Sequence, residues 1–209
     1  ERARALLLEL GDAAVPAAIA ALRRRDTAWL GAKLLADLDV ASPEVLDALW
    51  AAVPLPGQGH DWAATALGRL GHGPQVLQSG LPAASRAAAV TAPYRSFRDH
   101  GRSHRPLNYG LLAAGLTDPA IAALVAEELA PGQGYCTLDA GDLPGARLGL
   151  DHAEPLIRRH AVVVLGELIG PMGPEGLASD DIAALSARIT DLAVHDPDPD
   201  VRRLAGYRR

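Results

Sequence analysis

Apolar residues recur along most of the chain at intervals of three and four, the spacing that gathers side chains on one face of a helix. The fullest instance is Glu154 to Gly170, EPLIRRHAVVVLGELIG. Pro155 stands in the first turn, where its missing N–H costs nothing. Ile157, Ala161, Val164, Leu165 and Leu168 then share a face, and Val162 and Val163 widen it until the segment is apolar almost all round. That pattern predicts a helix buried between neighbours. Gly170-Pro171 ends it.

The same spacing predicts helices elsewhere. Val15, Ile19 and Leu22 form the inner face of a helix capped by Asp12, with Pro16 near its start and Arg23-Arg24-Arg25 at its end. Ala28 to Leu38 follows. Ser42-Pro43-Glu44 combines a cap, a first-turn proline and an acid, and Val45, Leu46, Leu49 and Val53 make the buried stripe behind it. Asp61 to Gly71, a short helix at Val76-Leu77, Ala83 to Ala92, Leu107 to Leu116 and Pro119 to Leu129 come next. Pro131 to Pro144 holds too much glycine and proline for a helix and reads as a long loop. Ser179 is expected to cap a helix reaching His195, with Ile182, Leu185, Ile189 and Leu192 inward. Asp196 opens a last unit, DPDPDVRR. No alternating stretch predicts a sheet.

One tetrapeptide recurs in degenerate form: Leu7-Leu8-Glu9-Leu10, Leu35-Ala36-Asp37-Leu38, Leu67-Gly68-Arg69-Leu70 and Leu165-Gly166-Glu167-Leu168. The first three are spaced by 28 and 32 residues and the last lies 98 further on. A period of roughly 30 residues, each a pair of helices, is the mark of stacked repeats. At these residues the chain resembles the HEAT-like repeats of the phycobilisome-lyase type. In that pattern an Asp-Pro turn precedes Val-Arg, Ala and Leu-Gly-x-Leu-Gly, and a second helix opens with Ala-Val-Pro. The matching pieces are DPDPDVRRLA at 196–205, PLIRRHAVVVLGELIG at 155–170, LGRLG at 67–71 and LGDAAVPAAIAAL at 10–22.

The resemblance implies an all-α fold, a right-handed α-solenoid or superhelix of HEAT-like helical hairpins. It implies a single array over residues 1–209, with irregular insertions at about 93–106 and 130–150 and about ten to twelve helices. The segment 72–150 departs from the pattern. Such a fold implies a binding scaffold and says little of chemistry. Arg158 and Arg202 fall at equivalent places near helix starts, and a structural role is expected for them, reaching an acid of the adjoining turn such as Asp151 or Asp196.

Composition fits closely packed helices: 49% of residues are hydrophobic, many of them alanine, and only 4% are aromatic. Formal net charge is −5 and Lys33 is the only lysine, an arginine bias that reads as the mark of a GC-rich bacterial genome. Cys136 is the only cysteine, so no internal disulfide or Cys-based zinc site is available. No apolar run reaches the roughly 18 residues of a membrane span. The chain is expected to be cytoplasmic, and its opening Glu-Arg and its stop inside an apparent repeat read as the ordered part of something longer.

The stretch YRSFRDHGRSHRPLNY, Tyr94 to Tyr109, stands apart. Arg95, Arg98, Arg102 and Arg105 face Asp99 alone, interleaved with Tyr94, Phe97, His104 and Tyr109. Guanidinium forks match carboxylates and phosphates, and arginine and tyrosine are enriched at interface hot spots. One reading is a solvated inter-helix loop whose aromatics plug a gap in the stack. The other is a partner-binding segment for an acidic or phosphate-bearing partner. His100 and His104 flank Gly101 without a carboxylate at ligand spacing, so no metal is expected, and no cofactor is implied. Cys136 reads as an inert thiol, and neither GQG, at 57–59 or 132–134, follows a strand.

Trp29, Trp50 and Trp62 fall on repeat helices and are expected to fill the alanine-rich stack. The expected function is a non-catalytic scaffold or adaptor that binds another protein on a concave face. The alternative is a nucleic-acid-binding solenoid similar to alkylpurine DNA glycosylases, for which Asp61-Trp62 is the one suggestive pair. The acidic net charge weighs against tight duplex binding, whose affinity comes largely from neutralising phosphates.

Overall fold

The helical spacing of alanine, leucine and valine is realised in the described residues. The computed structural model describes residues 9–54, 60–94, 109–129, 143–169 and 178–207, and among them every regular element is helical. The α-helices are α1 (Val15–Leu22), α2 (Ala28–Asp37), α3 (Pro43–Ala52), α4 (His60–Leu67), α5 (Gly73–Leu77) and α6 (Ala83–Thr91), then α7 (Tyr109–Thr117), α8 (Ala122–Glu128), α9 (Leu143–Leu150), α10 (Pro155–Leu168), α11 (Ser179–His195) and α12 (Pro199–Gly206). None is long and apolar enough to cross a membrane.

Several starts follow the sequence signals. The Ser42 hydroxyl accepts from the Val45 N–H with Pro43 in the first turn, and the Asp198 carboxylate accepts from the N–H groups of Asp200 and Val201. Two differ. Asp12 lies in a 3-10 turn, Gly11–Ala14, and no side chain caps α1. Ser179 is the first helical residue of α11 rather than its cap. The segment expected to be irregular up to 150 contains α9. Pro144 sits in its first turn, where proline is tolerated, and Leu143, Ala146 and Leu150 are buried.

The chain divides into two units, one of residues 1–105 and 114–134, the other of 106–113 and 135–209. In the first, helices pack against the next and the next but one: α1 on α2 and α3, α2 and α3 on α4, α4 and α5 on α6, α6 on α8. Its core is built from Ile19, Leu22, Leu34, Leu35, Val45, Leu49, Ala63, Leu67 and Leu70. Small residues set the spacing. A Cβ on Gly31 would overlap the backbone of Leu22, and one on Gly68 would overlap the Ala89 carbonyl oxygen. Gly71 closes this stretch at φ +90°, a conformation that glycine adopts without steric cost.

The second unit shows the same order of neighbours: α9 on α10 and α11, α10 on α12, α11 on α12. Ile157, Ala161, Val162, Val164 and Leu165 of α10 are buried, as the pattern of that helix predicts. Leu185, Ile189 and Leu192 of α11 and Val201 and Ala205 of α12 complete this core.

Candidate functional site

The first unit carries a continuous feature along α2, α4, α6 and α8. The rings of Trp29 and Trp62 meet at 6.2 Å between centroids, and Lys33 Nζ lies 5.9 Å from the Trp62 ring centre. Both contacts follow from helical spacing, since Trp29 and Lys33 are one turn apart on α2. Trp29 is 40% exposed, so it does not fill the stack as expected. Beside Trp62 lies a cleft of about 230 Å³ lined by Asp61, Thr65, Ala84, Ala87, Ala88, Leu124 and Glu128. The alanines of α6 form its floor because their small side chains leave room between α4 and α8. Its titratable lining among the described residues is acidic.

Arginine–aspartate pairs tie together residues 32 to 39 positions apart. In the first unit Arg69 donates to Asp37 at 3.0 Å, both buried and 32 residues apart, and Arg86 donates to Asp118 at 2.8 Å, also 32 apart. In the second unit Arg147 bonds Asp181, 34 apart, and Arg188 bonds Asp151, 37 apart. Arg188 also pairs with Asp191, which in turn bonds His195.

The most complete pair is buried. Arg158 Nε and Nη2 each donate to one carboxylate oxygen of Asp196 at 2.8 Å, a two-pronged fork. Its Nη1 donates at 2.8 Å to the carbonyl oxygens of His152 and Ala153. Arg159 makes a second fork on Asp198 and reaches Asp200. Burial alone would push the Asp196 carboxyl up. The Arg158 hydrogen bonds, the Asp198 N–H and the Arg158 charge outweigh that and hold it below its ordinary value. The Arg159 hydrogen bonds chiefly hold Asp198 low as well.

The expectation that Arg158 reaches an acid of the adjoining turn is met at Asp196. Arg202 instead donates to the backbone carbonyls of Asp196 and Pro197 at 2.6 and 3.2 Å.

Of the partner-binding residues expected from sequence, Arg95, Phe97, Arg98, Arg102, His104 and Arg105 lie outside the described residues, as do His100, Cys136 and both GQG segments. Tyr94 and Tyr109 are described, and both rings are interior, at 1% and 6% exposure. This corrects their assignment as contact residues: their apolar rings are more stable packed in the core than in water. The Tyr109 hydroxyl shares a 3.0 Å hydrogen bond with His160 Nδ1, and the rings meet edge to face at 5.7 Å. Gly149 makes room for it, since a Cβ there would lie 2.8 Å from the Ala161 Cβ and 3.0 Å from Tyr109 Cδ2.

Sequence reading missed the Tyr109–His160 pair, because two polar aromatics 51 residues apart carry no local signal. It also missed Glu128 as the cleft's second acid. No group of three or more His, Cys, Asp or Glu among the described residues could hold a metal ion. No family model matches the chain, and no curated protein or solved structure matches it.

Proposed function

We propose that the chain is a non-catalytic scaffold or adaptor, a solenoid of HEAT-like hairpins that binds another protein. The observation that carries this reading is the order of helix neighbours in each unit, next and next but one, with arginine–aspartate pairs one repeat apart. A two-helix unit with that order of neighbours buries its apolar face against the units before and after it, and leaves its remaining surface for a partner. In the first unit the α2–α4–α6–α8 row offers such a surface. Its half-exposed Trp29 is the kind of residue that anchors protein interfaces. A cleft of 230 Å³ suits one inserted side chain better than a drug-sized ligand, which takes about 300–1,000 Å³.

The arginines of the 94–109 segment, with Phe97 and His104, add a site for an acidic patch on the partner. Capture from an extract of the native host tests both surfaces. Arg98→Glu with Arg102→Glu, and separately Trp29→Ala, should each deplete the captured partner while helicity stays unchanged. Capture unaffected by either change would remove both surfaces from the proposal.

The second reading, nucleic-acid binding by a solenoid similar to alkylpurine DNA glycosylases, is favoured by one observation: Asp61 and Trp62 line the same cleft. Glu128 on the opposite wall works against it, since two carboxylates repel a phosphate backbone. A salt titration with duplex and single-stranded DNA decides. Binding that appears at low ionic strength and is lost with Asp61→Asn or Trp62→Ala would favour it over the scaffold.

A further inference from the structure

The cleft beside Trp62 combines an apolar floor with acidic walls. Ala84, Ala87 and Ala88 share one face of α6 by their spacing, and Leu124 of α8 continues the floor. Asp61 stands on α4, and Glu128 stands one turn beyond Leu124 on α8. Among the described residues no basic side chain lines the space. Trp62 closes one side, half-buried, with its ring also against Trp29 and Lys33.

That combination selects its occupant. An apolar anchor would cover the two carboxylates without giving them a donor, at a desolvation cost. An anion would meet like charge from both walls. A metal ion lacks a ligand set, because no group of three or more His, Cys, Asp or Glu among the described residues could hold one. An arginine or lysine side chain matches both parts: its methylenes lie on alanine and leucine while its charged head meets the carboxylates. The indole adds a face that attracts cations, and Trp62 already has the Lys33 ammonium 5.9 Å from its ring centre. Two arginines of the helices around the cleft are committed elsewhere, Arg86 to Asp118 and the Leu77 carbonyl, Arg69 to Asp37. A volume of about 230 Å³ holds one such side chain.

We infer that this cleft takes an arginine or lysine side chain presented by a partner protein. The basic head would sit between Asp61 and Glu128 with its stem along the α6 alanines and the Trp62 ring. Partner residues flanking it would cover Trp29, which is 40% exposed. The inference rests on the scaffold reading proposed above and deepens it, since it states the charge of the residue that the partner inserts.

The probes are acetylated and amidated pentapeptides, Gly-Gly-Xaa-Gly-Gly, with arginine, lysine, citrulline or norleucine at the centre. Each is titrated into the full chain at low ionic strength, where charge is least screened. The Trp62 indole N–H resonance, assigned with Trp62→Phe, reports binding. The arginine or the lysine peptide should shift it saturably below about 10 mM, and bind about tenfold more tightly than the citrulline and norleucine peptides, which keep the stem and lack the charge. Asp61→Asn with Glu128→Gln should weaken that binding about tenfold or more. Ala84→Arg is the second variant. Ala84 is exposed, so the fold tolerates the change, and the new guanidinium would supply the cation from within and abolish binding. A loss in either variant with helicity retained supports the inference. No saturable shift with any peptide, neutral peptides binding as tightly as charged ones, or binding undiminished in both variants overturns it. Each of those results leaves the scaffold reading standing, because that reading is tested by capture of the partner with Trp29→Ala and with the Arg98 and Arg102 changes.

Discussion

In the first unit the close helix crossings are made by glycine. Gly31 lies against the backbone of Leu22, Gly68 against that of Ala89, and Gly115 has room for no Cβ, since Val90 Cγ1 would be 2.7 Å from it. In the second unit α10 is tied to the turn that opens α12 by arginine forks, Arg158 on Asp196 and Arg159 on Asp198. The order of helix neighbours is the same in both. Both means occur in both units, since Arg69 on Asp37 and Arg86 on Asp118 pair in the first and Gly149 makes a close approach to Ala161 in the second, but glycine crossings are the more numerous in the first and two-pronged forks are described in the second. Where side chains are small, apolar contact holds adjacent helices together. Where the helix-opening turn is polar, one arginine satisfies the carbonyls of its own turn and the acid of the following one at once. The two means should fail differently, since a buried fork leaves an unpaired charge when broken, whereas a filled glycine crossing leaves strain.

The largest effect is expected for Arg158→Ala, which strands the buried Asp196 carboxylate. Urea denaturation should show a loss of about 3–5 kcal/mol. The pair Arg158→Met with Asp196→Leu should recover most of it, and no recovery would mean that packing rather than charge sets the cost. Next is Leu67→Ala in the first unit, where a fully buried side chain is deleted, with an expected loss of about 2–5 kcal/mol. Gly68→Ala should cost about 1–3 kcal/mol by forcing α4 away from Ala89. A neutral Gly68→Ala would break the contrast between the units.

Smaller again is Tyr109→Phe, which leaves His160 without the hydroxyl and should cost about 0.5–1.5 kcal/mol. Acid gives a further separation. The carboxyls of Asp196 and Asp198 are held below their ordinary value in the folded chain, so their contribution is complete above the unfolded value of about 3.9. It is lost as pH falls through the lower folded values. Near-neutral changes should leave the contribution of these two carboxyls flat, and Arg158→Gln should remove part of the second unit's acid sensitivity.

Much of this was legible beforehand. The face of Ile157, Ala161, Val164 and Leu165, the Ser42 cap and the Arg158–acid pair all follow from spacing within a turn or from equivalent positions in two similar stretches of sequence. What escaped was decided by contacts distant in sequence. Tyr94 and Tyr109 stand in an arginine-rich segment that reads as surface, yet both are buried, and for Tyr109 the room is made by Gly149 and the partner is His160. The Asp61–Glu128 cleft joins helices 67 residues apart, a distance over which no pattern runs. Trp29 looked like filler because periodicity cannot tell a covered helix face from an open one.

If the helices are stacked hairpins, each is held in place chiefly by the hairpins beside it, and breaking one tie should loosen only its neighbours. Native-state hydrogen exchange of Arg158→Gln, read by mass spectrometry peptide by peptide, resolves this. Faster exchange is expected in α10, α11 and α12, with α1 to α4 keeping the protection they have in the unaltered chain. Uniform loss of protection from α1 to α12 would refute the stacked-hairpin reading.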